Sequence, residues 1–385
     1  MAEKQIEKKH ICYYIDTDIP TTNPSIVHVM KMCQAFVRNG CDVTVHCNSE
    51  NAQIDEDAVF AQYGITDRFR LDTVCIPAFL RKHGHRLGAY YSAWVKTRKT
   101  EEAGLAYSRS AMALFFLRKK MPFVYEAHLE PDIISRWIER RILLHGNCRG
   151  LVVITRALKK RYLELFPFFP EEKITVLHDA ADPEISGSTA KAVLRGNAEE
   201  IKIGYAGSLF PGKCMETILP LAKSCPQYRF HIVGGTEYWV DFWKKQAQEI
   251  GVDNLVFYGF VENSKLGDYY RAFDISILPF SRNVYIGKSK RVNIGQWTSP
   301  LKLFEAMAYG KPILVSRLAT IEEVMTDGVD CVMVEPDNIV QWAQKLETLC
   351  EDAQMQEKIG NAAREKLERE YTWLERARKA ASLFD

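Results

Sequence analysis

The chain has 385 residues, too many for one ordinary hydrophobic core, and this length predicts two domains. Its formal charge of +2 gives no overall attraction to nucleic acid, so no nucleic-acid partner is expected. No apolar run is long enough to span a membrane. The 10 cysteines have no C-x-x-C pair and no signal peptide before them, which predicts reduced core residues in a cytoplasmic protein.

The chain opens with a strand–helix–strand pattern. Apolar residues 11–15 read as a strand, residues 26–37 repeat at helical spacing, and residues 42–47 read as the next strand. This order predicts a parallel sheet with functional loops at the carboxyl ends of its strands. Asn23 and Ser25, in the first such loop, are therefore candidate binding residues. Turn chemistry alone would also explain the Asn-Pro-Ser sequence.

Residues 79–160 are strongly basic, with 17 Lys or Arg against 6 Asp or Glu. The segment also carries six aromatic residues: Tyr90, Tyr91, Trp94, Phe115, Phe116 and Trp137. Cations mixed with interfacial aromatics are typical of peripheral membrane surfaces, so the segment predicts contact with a membrane or a lipid-linked acceptor at the inner face of the membrane. A solvated basic face would have the same composition.

A later strand, residues 123–128, ends in Glu126 and His128, at the edge where such sheets bind ligands. A lone histidine is more often structural than catalytic. Residues 174–182 read as a last strand and turn before a polar stretch. The predicted domains are therefore 1–185 and 186–370, followed by a helix over 371–385.

The second domain repeats the strand–turn–helix pattern. Gly207 and Ser208 follow its first strand and let backbone approach a ligand, and Lys213 could meet a diphosphate as a point charge. Two further strands end in small or aromatic residues: Gly234, Gly235, Tyr258 and Gly259. A generic nucleotide-binding sheet would give the same turns.

The segment 298–316 predicts a buried helix feeding a strand. Ser299 suits the N-cap and Pro300 the first helical position, and Gly310 closes the helix. Glu305 lies in the apolar run, where ligand hydroxyls could satisfy it, and Lys302 lies in the first turn, where a cation suits a phosphate. A buried helix with a salt-bridged glutamate and a solvated lysine would also explain these residues.

Residues 299–313 resemble the donor-site helix of retaining GT-B glycosyltransferases of the family-4 type, the glycogen-synthase-like group. The resemblance extends to the Tyr-Glu-x-His pattern ending at His128 and to the glycine turn with Lys213. It implies an α/β, GT-B fold: two Rossmann-like domains facing across a cleft, with the C-terminal helix crossing back to the first domain. It also implies transfer of a hexose from a nucleotide diphosphate sugar to an acceptor hydroxyl, with retention of configuration and without a metal or other cofactor.

The resemblance assigns roles to single residues. Glu305 would hold the ribose, and Lys213 with the helix start (Ser299, Pro300, Leu301 and Lys302) the diphosphate. His128, beside Glu126, would face the donor sugar. The strand ends with Gly207, Gly234, Gly235, Tyr258 and Gly259 would line the nucleotide.

Three positions depart from the family pattern. Trp297 replaces an earlier glutamate, Ser208 a common arginine and Cys214 a common glycine; Arg282 or Arg291, in the basic loop 281–297, could supply the missing cation. A binding subunit without catalysis would show such departures. A GT-B-fold nucleotide-sugar epimerase is a further alternative, although no pair of acid/base carboxylates stands out. A plain scaffold would leave Glu305 and Lys302 unexplained.

Overall fold

The computed structural model describes residues 8–21, 23–49, 54–77, 85–99, 104–184, 190–197, 199–286, 292–293 and 295–385. The chain folds into two compact units. The first runs up to His178 and takes in Trp373–Asp385, and the second is Asp179–Thr372. The boundary between the two units falls after residue 178, whereas the sequence predicts it after residue 185.

The first unit is built on a parallel sheet. Its strands are β1 (His10–Asp18), β2 (Asp42–Ser49), β3 (Arg70–Cys75), β4 (Leu105–Ser108), β5 (Phe123–Ala127), β6 (Cys148–Val153) and β7 (Ile174–Val176), in the order β3-β2-β1-β4-β5-β6-β7. Its helices include α1 (Pro24–Arg38), α2 (Glu56–Tyr63), α3 (His85–Lys99), α4 (Ala111–Leu117), α5 (Ile133–Leu143) and α6 (Arg156–Leu165). The predicted strand–helix–strand start is confirmed.

The helices of this unit divide between the two faces of the sheet. The chain moves from β1 outward to β3, and then from β4 outward in the opposite direction. Because crossovers between parallel strands are right-handed, α1 and α2 cover one face, and α3, α4 and α5 cover the other.

The second unit has a six-stranded parallel sheet. Its strands are β8 (Lys202–Ala206), β9 (Arg229–Val233), β10 (Leu255–Gly259), β11 (Ile275–Leu278), β14 (Ile313–Ser316) and β15 (Val332–Val334), in the order β10-β9-β8-β11-β14-β15. The strands β12 (Tyr285–Ile286) and β13 (Val292–Asn293) form a separate antiparallel pair. Its helices are α7 (Met215–Ser224), α8 (Glu237–Glu249), α9 (Asn263–Ala272), α10 (Leu301–Ala308), α11 (Ala319–Glu322), α12 (Ile339–Glu351) and α13 (Ala353–Glu370).

The last helix, α14 (Trp373–Ala381), belongs to the first unit, where it packs on α1. Its inward face carries Trp373, Arg376, Ala377 and Ala380, all buried. The end of the chain therefore completes a unit whose sheet was formed by the first 178 residues.

Within the described ranges, no helix combines the length and the apolar character needed to cross a bilayer. All ten cysteines are unpaired, as predicted. Eight are buried, Cys350 is half-buried, and Cys75 is exposed, so Cys75 departs from the predicted core position.

Candidate active site

In each sheet the chain adds strands first on one side of the first strand and then on the other. Open α/β sheets bind ligands at the point where this order reverses. In the first unit this point lies between β1 and β4, and a pocket of about 210 Å³ opens there. Its walls include Asp16, Arg109, Ser110 and the predicted residue Ser25, whose carbonyl oxygen accepts a hydrogen bond from Arg109 at 3.2 Å. Asn23 is exposed, and its side chain caps α1 through Ser25 N at 3.0 Å.

Glu126 lies at the end of β5 and is 1% exposed. Its Oε1 is 2.6 Å from His128 Nε2, 2.9 Å from His28 Nε2 and 2.9 Å from Arg376 Nη2. Its Oε2 accepts a hydrogen bond from the Tyr107 hydroxyl at 2.5 Å. Both oxygens of the carboxylate thus have partners from the same unit. The carboxylate lies behind His128 rather than at the surface.

The electrostatics of this cluster keep Glu126 ionised and His128 neutral. Burial alone would raise the pKa of Glu126, but Arg376, His28 and His128 outweigh it and hold that pKa well below its usual range. Burial, reinforced by Arg109, lowers the pKa of His128 to about 3. Because an ionised carboxylate only accepts hydrogen bonds, His128 Nε2 carries the proton, and Nδ1 is an acceptor.

His28, Glu126 and His128 each offer a metal-ligand atom, and these atoms lie within 4.8 Å of one another, the one such trio in the described part of the chain. However, Arg376 already places a permanent positive charge 2.9 Å from Glu126 Oε1. A divalent cation bound at this carboxylate would be repelled by the guanidinium. The arrangement fits a hydrogen-bonded support for His128 better than a metal site.

In the second unit, three predicted glycines meet where β8, β9 and β10 end. Gly207 N donates to Val233 O at 2.9 Å, and Gly234 N donates to Gly259 O at 2.7 Å. Gly234 has φ +108°, and a Cβ there would lie 2.2 Å from Gly207 O, so no other residue fits this close backbone approach. A Cβ at Gly235 would meet the Leu209 side chain at 2.6 Å.

Two lysines follow strands of this sheet: Lys302, whose Cδ is 3.5 Å from the position that a Cβ on Gly207 would take, and Lys213, in the turn between β8 and α7. Lys302 Nζ donates to the Tyr205 hydroxyl at 2.9 Å and sits 4.6 Å from the ring centre of Phe280, and Lys213 Nζ lies 4.9 Å from that of Phe210. Burial, together with the charge of Lys213, lowers the pKa of Lys302 to about 8, and burial also lowers the pKa of Lys213. No ion pair among the described residues includes either lysine. Two neighbouring, partly desolvated cations favour a bound anion.

Glu305 lies half-buried one turn into α10, and its Oε2 is 3.5 Å from the Tyr270 hydroxyl. The ring of Tyr270 stacks on the ring of Tyr309. Burial lowers the pKa of Lys302, and the charge of Glu305, three residues further along the same helix, weakly opposes that shift. The structure thus places Glu305 and Lys302 on one helix, with the Lys302 side chain 3.5 Å from the position that a Cβ on Gly207 would take. Ser208, after Gly207, offers its carbonyl oxygen to the Tyr205 hydroxyl at 3.0 Å.

The predicted N-cap of this helix is wrong. Helix α10 begins at Leu301 with Pro300 as its N-cap residue, and Gly310 follows its C-cap with φ +61°, as predicted. Ser299 is buried, and its hydroxyl accepts a hydrogen bond from Asp179 N at 2.8 Å. The serine is used by a segment 120 residues earlier in the chain and so does not cap its own helix.

Other predicted residues are engaged elsewhere in this unit or lie outside the described residues. Arg282 pairs with Glu335 at 2.6 Å and Asp337 at 3.3 Å. The Tyr258 hydroxyl is 2.9 Å from His231 Nδ1 and accepts from Arg195 N at 2.8 Å. Trp297 is half-buried in a turn, and Arg291 lies outside the described residues.

Sequence reasoning missed four residues that the structure adds to these sites: His28, Arg109, Arg376 and Tyr205. Arg109 had a signal, because it follows β4 at the point where the sheet changes direction. The other three lie in ordinary apolar or amphipathic patterns and are recognised only by their contacts.

Two family models match the chain: Glycosyltransferase Family 4 over residues 26–185, and Glycosyl transferases group 1 over residues 188–366. An uncharacterized 41.2 kDa protein in the cps region of Klebsiella pneumoniae is 21% identical over 337 residues, 80% of this chain and 86% of that protein. D-inositol 3-phosphate glycosyltransferase of Corynebacterium kroppenstedtii is 24% identical over 274 residues, 66% of this chain and 57% of that enzyme. The crystal structure of Anabaena HepE in complex with UDP has a TM-score of 0.71 at 15% identity, covering 97% of this chain and 99% of that one.

Glycosyltransferase models thus cover both halves of the chain, and its two parallel-sheet α/β units match a solved structure over nearly their whole length. The protein is a glycosyltransferase of the GT-B fold, a transferase of class EC 2.4. Its first part carries the family-4 domain and its second the group-1 domain. The predicted fold class and enzyme class are confirmed.

Proposed function

We propose that the protein transfers a hexose from a nucleoside diphosphate sugar to an acceptor hydroxyl with retention of configuration. The observation that carries this proposal is the pair of Lys213 and Lys302 beside the glycine cluster of Gly207 and Gly234, since two adjacent cations with lowered pKa values suit a diphosphate. The UDP bound by Anabaena HepE supports a nucleotide donor.

In this proposal each site residue has a distinct role. Lys213 and Lys302 offset the charge that develops on the leaving diphosphate, a form of electrostatic stabilisation that needs no metal. Glu305 accepts hydrogen bonds from the ribose hydroxyls. The family resemblance implies that His128 orients the donor sugar, and its Nδ1 would do so by accepting a hydrogen bond from a sugar hydroxyl.

The bond between the anomeric carbon and the diphosphate oxygen breaks, and a bond to the acceptor oxygen forms on the same face of the sugar. The acceptor proton passes to the departing phosphate oxygen, so no protein base is needed. The unpaired cysteines favour a reducing compartment, and we propose a cytoplasmic enzyme.

The first test is a thermal-shift screen of the full chain against UDP, GDP, ADP, CMP and dTDP, because a ligand that binds only the native state raises the melting temperature. The screen is repeated on Glu305→Ala and on the control Glu262→Ala, whose exposed carboxylate lies at the N-cap position just before α9 and caps no backbone group. We expect one nucleotide to stabilise the wild type and the control but not Glu305→Ala. No shift with any nucleotide would count against the whole proposal.

Donor cleavage is then measured with the sugar form of the nucleotide that binds. Release of the nucleotide together with a sugar of unchanged anomeric configuration, read by proton NMR, is the expected result. Binding without cleavage in the presence of acceptor extracts would identify a non-catalytic subunit, and an inverted product would contradict retention.

A further inference from the structure

A row of aromatic rings crosses three neighbouring helices of the first unit. Ring centres lie 5.1 Å apart for Tyr90 and Phe116, 5.8 Å for Phe116 and Phe115, and 5.8 Å for Phe115 and Trp137. Tyr90 belongs to α3, the two phenylalanines to α4 and Trp137 to α5. These helices share one face of the sheet, opposite α1, so the rings form one continuous surface, here called the aromatic face.

Much of the aromatic face is exposed. Tyr90 is 50% exposed and Trp137 53%, and at the start of α5 Ile133 is 87% and Ile134 56% exposed. Ile133 and Trp137 are four residues apart and therefore lie on the same side of their helix. A contiguous apolar patch of this kind marks an interaction site more often than a single exposed side chain does.

The same four-residue spacing continues into arginines on two of the helices. On α3, Tyr90 is followed by Trp94 and Arg98, and the Arg98 guanidinium lies 4.9 Å from the Trp94 ring centre. On α5, Trp137 is followed by Arg141, whose guanidinium lies 5.0 Å from the Trp137 ring centre.

Both helices connect parallel strands and run in the same direction. Their apolar residues therefore lie toward one end of the aromatic face and their arginines toward the other.

Among the residues that the structure describes, acidic side chains near this surface already have partners. Asp132 caps α5 by accepting from Ile134 N and Ser135 N, and Glu130 pairs with Arg161 at 2.6 Å. No ion pair within the described ranges includes Arg98 or Arg141. The aromatic face is consequently apolar with a positively charged margin.

We propose that the aromatic face docks on a bilayer containing anionic lipids. Trp137, Ile133 and Tyr90 enter the interfacial region, where aromatic rings are favoured, and Arg98 and Arg141 bind lipid phosphates. This narrows the contact expected over residues 79–160 to one surface of three helices. It does not depend on the proposed sugar transfer, because no residue of the aromatic face belongs to the donor or histidine sites.

The test is co-sedimentation of the full chain with phosphatidylcholine vesicles, with and without phosphatidylglycerol, in low and high salt. We expect binding to the anionic vesicles that weakens with salt. The double variant Ile133→Ser/Trp137→Ser should lower the partition coefficient at least tenfold. Arg98→Ser/Arg141→Ser should lower it about fivefold for each arginine on anionic vesicles only.

The matched control is Tyr238→Ser/Phe242→Ser on α8, which removes aromatic residues that are 69% and 38% exposed in the second unit. This control should bind vesicles like the wild type. The proposal is overturned if the wild type ignores anionic vesicles in low salt, or if the aromatic-face variants bind as well as the control. Self-association lost only in Ile133→Ser/Trp137→Ser, without vesicle binding, would instead assign the face to a second copy of the chain.

Discussion

The two candidate regions differ in how their buried charges are balanced. Around Glu126 the first unit supplies every partner itself: a tyrosine, two histidines and an arginine converge on one carboxylate. Around Lys302 and Lys213 the second unit gathers two cations and gives neither an ion-pair partner among the described residues. The first region is complete without a ligand, whereas the second gains from binding an anion.

This difference shows what each region contributes. A neutral His128 with a fixed tautomer can orient a ligand without changing its own charge. A lysine with a pKa of about 8 can respond to a ligand by taking up a proton. Three changes would break or sharpen this contrast.

The largest effect is expected from Arg376→Met. Removing the guanidinium leaves the Glu126 carboxylate as an uncompensated buried charge, which costs about 3–5 kcal/mol. Hydrogen exchange of the β5 amides, which reports on this unit alone, should accelerate by about 10²–10⁴-fold.

Arg378→Met, on the same helix, is the control for Arg376→Met, because Arg378 is 62% exposed and pairs with Glu375. Solvent screens that surface pair, so its loss should change the stability of the unit very little. Adding Glu126→Gln to Arg376→Met should restore part of the lost protection. Unchanged exchange in Arg376→Met would refute the view that the first region is held together by internal charge pairing.

A smaller effect is expected from Gly234→Ala in the second region. Alanine there must adopt φ +108° and place its Cβ 2.2 Å from Gly207 O, so the glycine cluster has to shift. We expect a cost of about 2 kcal/mol, read as a roughly thirtyfold loss of nucleotide affinity.

Gly251→Ala provides the comparison, since its φ is +71° but no atom lies within 4 Å of the added Cβ, and it precedes β10, at the opposite edge of the sheet from the glycine cluster. Calorimetric titration should show nearly wild-type nucleotide binding in Gly251→Ala. Equal losses in both variants would mean that general backbone strain, not the close approach to Gly207, lowers the affinity.

The smallest effect is a pH dependence of nucleotide binding. Lys302 must be protonated to bind the diphosphate, and its pKa of about 8 in the free protein means that affinity falls as pH rises. Linkage predicts about a tenfold loss between pH 7 and pH 9. His128, with a pKa of about 3, stays neutral throughout and should add nothing to this profile.

Lys302→Arg stays charged at these pH values, so its binding curve should be flat. Lys302→Met should bind weakly at every pH. A wild-type slope that persists in Lys302→Arg would assign the titration to another group.

Local patterns predicted much of this molecule. The apolar periodicity of residues 26–37 predicts α1, and Gly310 closes α10 with the positive φ that its position demands. Lys302, a cation in the first turn of a helix, signals an anion site because the helix dipole disfavours it there.

Partner choice between distant segments was not predictable. Ser299 has the chemistry of an N-cap, yet Asp179 uses its hydroxyl. The sequence suggests Arg282 as a phosphate ligand, yet its guanidinium forms ion pairs with Glu335 and Asp337. In the sequence, Arg376 resembles any other charged residue of an amphipathic helix. Its neighbours in the chain give no sign that its partner, Glu126, lies 250 residues away.

That separation also sets an order of events during synthesis. Glu126 and its strand leave the ribosome 250 residues before Arg376 is translated, and the whole second unit is made in between. Until then the first unit carries a carboxylate whose main counter-charge does not yet exist. The nascent first unit should therefore stay loosely folded, and the arrival of α14 should act as the step that locks it.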